Sequence, residues 1–191
     1  MAQGRFFTIS APSGTGKTTI IQKVLPSFPD IKESISCTTR APRPGERDGV
    51  DYYFVDEKTF EDMVTRGELF EWAKVHGAYY GTPKTPLLKR RQEGKDTFLD
   101  VDTQGAFNLK RAYPDTCALF LMPPSLEDLE KRLRSRKTES EKSLRIRLEN
   151  ARREIGEKDQ FDYVIINDSV DRAVGEITRI LKRESGGNDS S

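Results

Sequence analysis

The chain has 191 residues, 33% of them charged and 35% hydrophobic, with 32 Lys and Arg set against 31 Asp and Glu. That length suits one compact core with room for inserted segments, and a net charge of +1 lacks the basic excess of a dedicated nucleic-acid binder. The two cysteines, Cys37 and Cys117, have no metal or redox spacing, and a single histidine, His76, argues against a His-based zinc site or a Ser-His-Asp triad. No apolar run reaches membrane-spanning length and no signal-peptide pattern opens the chain. A cytoplasmic protein with reduced thiols, no membrane partner and no nucleic-acid partner is therefore expected; its oligomeric state is not set by these numbers.

Apolar, β-rich runs alternate with amphipathic stretches, which predicts an α/β fold: a parallel sheet flanked by helices. The first predicted strand, 5–10, runs into Ser10-Ala11-Pro12-Ser13-Gly14-Thr15-Gly16-Lys17-Thr18, and a helix is predicted over 18–25. Strand, glycine-rich turn and helix in that order form a phosphate-binding loop. Gly14 and Gly16 let backbone N–H groups curl round a phosphate, and the positive end of the helix faces the same anion. In such a loop Lys17 reaches the β- and γ-phosphates and the Thr18 hydroxyl takes Mg²⁺. Ala11, where the generic pattern has its first glycine, is the one departure. The loop marks a nucleoside-triphosphate site.

A second core strand is expected over 34–37. It leads into Ser36-Cys37-Thr38-Thr39-Arg40-Ala41-Pro42-Arg43-Pro44-Gly45-Glu46-Arg47, dense in hydroxyls and guanidiniums and stiffened by proline. Arg40 and Arg43 held on such a backbone would grip a second phosphate, with phenol hydroxyls from Tyr52 and Tyr53 close in sequence. Short strands at 52–55, 69–73 and 78–80, a helix at 57–66 and a turn at His76-Gly77 complete a small mixed insertion. Within it, Leu69-Phe70-Glu71-Trp72-Ala73 alternates, so packing Phe70 and Trp72 inside would turn Glu71 toward the cleft. A fixed carboxylate accepts from both N1–H and the 2-amino group of guanine but meets an acceptor at N1 of adenine. The Ser36 and Thr82 hydroxyls would serve guanine O6 and N7. From the residues alone, an ordinary surface glutamate is the commoner outcome for such a position.

A helix near 87–92 precedes a third core strand, 97–101, whose end sets Asp100 and Asp102 two apart on one face, the usual partners of Mg²⁺ or its waters beside a phosphate loop. Helix 104–111, strand 118–122, a second insertion after Pro123-Pro124 with helices 126–136 and 143–157, strand 163–167 and helix 170–183 follow. In that second insertion Arg132 and Arg136 share a face four residues apart, and Leu126, Leu129 and Leu133 form an apolar stripe. Arg147 edges a second stripe of Leu144, Leu148, Ala151 and Ile155. Arginines on a helical lid would converge on transferring phosphates; on most proteins they form a solvated basic face.

Taken together, these segments closely resemble guanylate kinase over nearly the whole chain, from about Phe6 to Leu181. The match is carried by Ser-x-x-Ser-Gly-x-Gly-Lys-Thr, Thr38-Thr39-Arg40-x-Pro42-Arg43-x-Gly45-Glu46, Gly49-x-Asp51-Tyr52, Glu71-Trp72-Ala73 and Tyr79-Tyr80-Gly81-Thr82. Asp100-x-Asp102-x-Gln104-Gly105, Pro123-Pro124-Ser125 and Ile165-Ile166-Asn167-Asp168 extend it. The resemblance implies a P-loop NTPase core with an inserted mixed α/β GMP-binding flap and a helical lid. It implies transfer of the γ-phosphoryl group of ATP to GMP, with Mg²⁺. ATP would lie on Ser13, Gly14, Thr15, Gly16, Lys17, Thr18 and Thr19, with Arg132, Asn167 and Asp168 beside it and Thr18 on the metal. The GMP phosphate would lie on Arg40, Arg43, Tyr52 and Tyr80. The base would lie on Ser36, Glu71, Thr82 and Asp102, which makes Asp102 a base contact rather than only a metal partner, and Gly81 and Asp100 would also bind the substrate. Lys17, Arg43, Arg136 and Arg147 would act on the transferring group. Lys137 stands where the family often has glycine, either altering lid closure or only adding charge. The expected division is a core of 1–35, 84–125 and 151–184, a flap at 36–83, a lid at 126–150 and a disordered tail at 185–191. The resemblance also covers inactive, peptide-binding relatives, which typically lack parts of the phosphate loop. A kinase for another nucleoside monophosphate is the third reading, which Glu71 and Thr82 argue against.

Overall fold

The computed structural model describes residues 3–75, 77–135 and 141–185. The turn expected at His76, the lid residues Arg136 and Lys137, and the tail from 186 onward lie outside them. The main sheet is wholly parallel, as expected, in the order β2 (Lys32–Glu33), β7 (Thr97–Asp100), β1 (Phe6–Ser10), β8 (Cys117–Met122) and β9 (Tyr163–Ile166). Its central strands are buried on both faces, which is why they read as continuous apolar runs. Phe7, Ile9, Leu119 and Leu121 face α1 (Lys17–Val24) and α7 (Val170–Ser185). Phe6, Leu99, Ala118 and Phe120 face α3 (Lys84–Gln92) and α4 (Thr103–Ala112). α7 runs through Ser185, one residue into the stretch read as tail.

A second sheet carries β4 (Tyr53–Phe54), β3 (Cys37–Thr38), β6 (Ala78–Pro83) and β5 (Leu69–Val75), in that order, and mixes parallel and antiparallel pairs. α2 (Glu57–Thr65), capped by the Asp56 carboxylate accepting from Thr59 N–H at 2.6 Å, packs Phe60 against Cys37 and Leu69. α5 (Leu126–Ser135) and α6 (Glu141–Gly156) form the remaining layer, zipped by Leu129, Leu133, Leu144 and Ala151, the stripes read from spacing.

Two local expectations are corrected. The strand placed at 34–37 is not one element. Ser34 N–H still donates to Phe98 in the main sheet, at 2.8 Å, but Ser36 C=O accepts from Tyr53 N–H in the second, at 2.9 Å. The segment crosses from one sheet to the other, so β2 ends at Glu33 and β3 begins at Cys37. In β5, Phe70 and Trp72 do not pack together inside the insertion. The β5–β6 register shifts between Leu69 and Trp72, and this breaks the alternation. Leu69 enters the small core and Phe70 packs edge-on against Phe6 and Tyr113 of the main core, while Trp72 stays on the insertion, edge-on to Phe60 and Tyr79, and is 49% exposed.

Candidate active site

The phosphate loop follows from local chemistry. β1 delivers the chain to Pro12, Thr15 N–H closes a turn on Pro12 C=O at 3.1 Å, and α1 starts at Lys17. Gly14 and Gly16 hold φ near +93° and +99°, which L side chains rarely adopt. A Cβ at Gly14 would meet Leu133 Cδ2 at 2.7 Å, and one at Gly16 would meet Asn167 Nδ2 at 3.0 Å. Both glycines are therefore required by backbone shape and by neighbours lying on the loop. Thr18 and Thr19 stand exposed on the first turn of α1. The Lys17 ammonium is ion-paired with Asp100 at the end of β7.

Neighbours tie the loop to α5, α6 and β9. Arg132 donates to Thr15 C=O at 3.1 Å and to Asn167 C=O at 3.0 Å. Asn167, itself buried, donates its amide to Thr15 C=O at 2.7 Å. Arg147 donates to the Ser13 hydroxyl at 2.8 Å. Asp168 pairs with Arg172 at 2.9 Å.

Beside the loop opens a cavity of about 840 Å³ between the two sheets, with Lys17, Ser36, Tyr52, Glu71, Tyr80, Gly81, Asp100 and Asp102 on its wall. Glu71 accepts a short hydrogen bond from the Thr82 hydroxyl. Burial raises the Glu71 carboxyl above its ordinary value; Thr82 opposes this, while Asp102 and Asp100 add to it. Gly105 leaves room for the Glu71 side chain, since a Cβ there would lie 3.0 Å from Glu71 Cγ. Asp102 is not on the strand face with Asp100. It caps α4, accepting from Gly105 N–H at 2.7 Å. Gly81 is set by packing, because a side chain there would strike Leu69 at 2.8 Å.

Behind Tyr52 and Tyr80, Arg40 lies over the Tyr52 ring, 5.4 Å to its centroid, and the two tyrosines meet edge to face at 6.1 Å. Burial is the main reason the Tyr52 phenol stays protonated to higher pH than usual. Glu46 holds Arg40 through two hydrogen bonds of 2.9 Å and also accepts from Arg43 N–H at 2.7 Å. The Arg40 bond, then the Arg43 N–H, pulls the Glu46 carboxyl down to about 2. Spacing predicted Arg40 and Arg43 but assigned Glu46 no role, although it stands three residues after Arg43 in a quoted motif. Arg136 lies outside the described residues. Cys37 is fully buried, and that burial pushes its thiol up to about 11.

The cavity wall thus carries carboxylates that suit paired N–H donors, two tyrosines with Arg40 over one of them, a set that suits a phosphate, and Lys17 of the phosphate loop. The family model described as guanylate kinase matches residues 3–184. The chain belongs to the guanylate kinase family. A guanylate kinase of Syntrophotalea carbinolica is 49% identical over 181 residues, covering 95% of this chain and 86% of that protein. One of Thermotoga maritima is 44% identical, covering 95% and 88%. The crystal structure of guanylate kinase from Anaplasma phagocytophilum superposes with a TM-score of 0.73 at 33% identity, covering 98% of this chain and 89% of that one.

Proposed function

We propose that this guanylate kinase binds its acceptor between Glu71 and the Arg40 cluster, and its donor phosphates on the loop from Ser13 to Thr19. The activity itself comes with the family: the γ-phosphoryl group of ATP passes to GMP, giving ADP and GDP. The observation that supports the residue assignment is one cavity wall shared by Glu71, Asp102, Tyr52 and Tyr80, with Thr82 hydrogen-bonded to Glu71 and Arg40 over the Tyr52 ring. Glu71 reads N1–H and the 2-amino group, Thr82 and Ser36 serve the other edge of guanine, and Asp102 stands beside them. Asp100 holds Lys17 until phosphate arrives. Asn167 and Asp168 flank the adenine side.

The attacking phosphate oxygen is anionic at neutral pH, so no general base is required. Catalysis reduces to positioning and charge neutralisation by Lys17, Arg43, Arg136 and Arg147. Thr18 fits Mg²⁺ in the way a nucleotide-held ion requires. Its hydroxyl is open at the first turn of α1, and no described group of three or more His, Cys, Asp or Glu forms an all-protein cage. The ion, bound with the triphosphate, would supply charge neutralisation at the transferring group. We assign 36–83 as an acceptor flap and 126–150 as a lid on the core of 1–35, 84–125 and 151–184. Their closure would expel water that otherwise consumes ATP. No helix among the described residues is long and apolar enough to cross a membrane, and we place the enzyme in the cytoplasm.

A coupled ATP-consumption assay with GMP, AMP, CMP and UMP tests the reading. GMP should be turned over far faster than the others; AMP turnover equal to that of GMP would overturn the role of Glu71.

A further inference from the structure

α6 brings to the cleft a carboxylate that no motif announces. Glu154 lies on the cavity wall with Lys17, Glu71 and Asp102, and its Oε2 is shut off from solvent without a hydrogen-bond partner. Its helix end is fixed on both sides. Ala151 is buried against α5, and Ile155 packs on the core cluster of Phe6 and Phe120. Burial above all lifts the Glu154 carboxyl to about 7; Asp102 and Glu157 add to the rise, and Lys17 and Arg153 oppose it. A buried carboxylate oxygen with nothing to accept from is costly, and a ligand's donor would remove that cost.

Its position selects the donor. On the proposed reading, the base lies by Glu71 and Asp102, and the phosphate runs from the Arg40 cluster toward Lys17. Glu154 shares the cavity wall with Asp102, which that reading puts by the base, and with Lys17, which it puts by the transferring group. What lies between base and phosphate in a nucleoside monophosphate is the ribose. Its 2′- and 3′-hydroxyls are neutral donors, the partners that acidic side chains take in other nucleotide sites. A phosphate at the same place would be repelled by the surrounding carboxylates.

We propose that Glu154 accepts a hydrogen bond from a ribose hydroxyl of the acceptor nucleotide, making the enzyme selective for the sugar as well as the base. The assignment rests on the acceptor reading given above. The experiment measures kcat/KM for GMP, 2′-deoxy-GMP and 3′-deoxy-GMP with the wild type, Glu154→Ala and Glu154→Gln, thermal unfolding being recorded for each. The wild type should favour GMP over at least one deoxy analogue by about tenfold, as expected when a buried acceptor loses its donor. Glu154→Ala should reduce that ratio to about twofold by losing activity on GMP and not on the analogue. The isosteric Glu154→Gln, which suits the fold even if Ala does not, should fall between them. Equal treatment of the three substrates by the wild type, or a ratio unchanged in both variants, overturns the proposal. A wild type that does not prefer GMP to AMP overturns the parent reading instead, whatever the sugar.

Discussion

The ammonium of Lys17, the first residue of α1, is ion-paired with the carboxylate of Asp100, the last residue of β7. The pair lines the cavity beside the phosphate loop, so on the proposed reading the charge that would neutralise the transferring phosphoryl is already stationed there, held by a partner that phosphate oxygens can replace. Removing it should cost chemistry rather than fold. Lys17→Ala is expected to lower kcat by about 10²–10³-fold or more, the loss seen when one preorganised charge donor is deleted, with an unfolding temperature close to wild type. Near-normal kcat would refute the phosphate-loop assignment.

Glu71 should make GMP binding pH-sensitive. Burial raises its carboxyl above 4.5, and only the ionised form accepts from two guanine donors at once. KM for GMP should therefore rise as pH falls through that raised value, while KM for ATP stays level. Glu71→Gln should flatten the dependence and lower kcat/KM for GMP by about 100-fold, because a buried donor then loses its partner. Steady-state profiles for both substrates decide it.

If Arg40 grips the acceptor phosphate as proposed, Glu46 acts on that phosphate through it. Two bonds of 2.9 Å fix the guanidinium against Tyr52 before any ligand arrives. Glu46→Ala should raise KM for GMP about tenfold, without changing KM for ATP, and Glu46→Gln should recover part of the loss. The same residue has a pH signature in stability. Its folded carboxyl lies at about 2, below the ordinary 4.5, so its contribution is present above 4.5 and disappears as pH falls toward 2. Acid titrations of wild type and Glu46→Gln should differ at neutral pH and converge near pH 2.

Gly14 and Gly45 have nearly the same φ, +93° and +90°, but different surroundings. A Cβ at Gly45 meets nothing within 4 Å, whereas one at Gly14 strikes Leu133 of α5 at 2.7 Å. Gly45→Ala should cost only the backbone term, about 1–2 kcal/mol, or a few degrees of unfolding temperature. Gly14→Ala should lower stability further and weaken ATP binding by at least about tenfold, since the loop and α5 must part. Calorimetry of ATP binding to both variants separates the two effects.

Much of this was legible in the chain because it is local. A strand, two glycines, a lysine and a helix make the phosphate loop within about a dozen residues, and repeated leucines announce α5 and α6. The resemblance to guanylate kinase brought Glu71, Thr82, Arg40 and Tyr52 into one set of candidates. Tertiary structure decided what those residues touch. Only the sheet pairings show that 34–36 leaves the main sheet for the second, since either sheet accepts the same apolar pattern. Only the register shift in β5 sends Phe70 to the main core and leaves Trp72 half exposed, because an alternating strand carries no mark of its bulge. Glu154 reads as one more charge on a helix until the fold shuts its oxygen away beside Lys17 and Asp102, residues 137 and 52 positions earlier. Spacing along the chain determines which conformations are available locally. Which distant groups share a cavity, and which charges are left there without a partner, is decided by the packing of the layers.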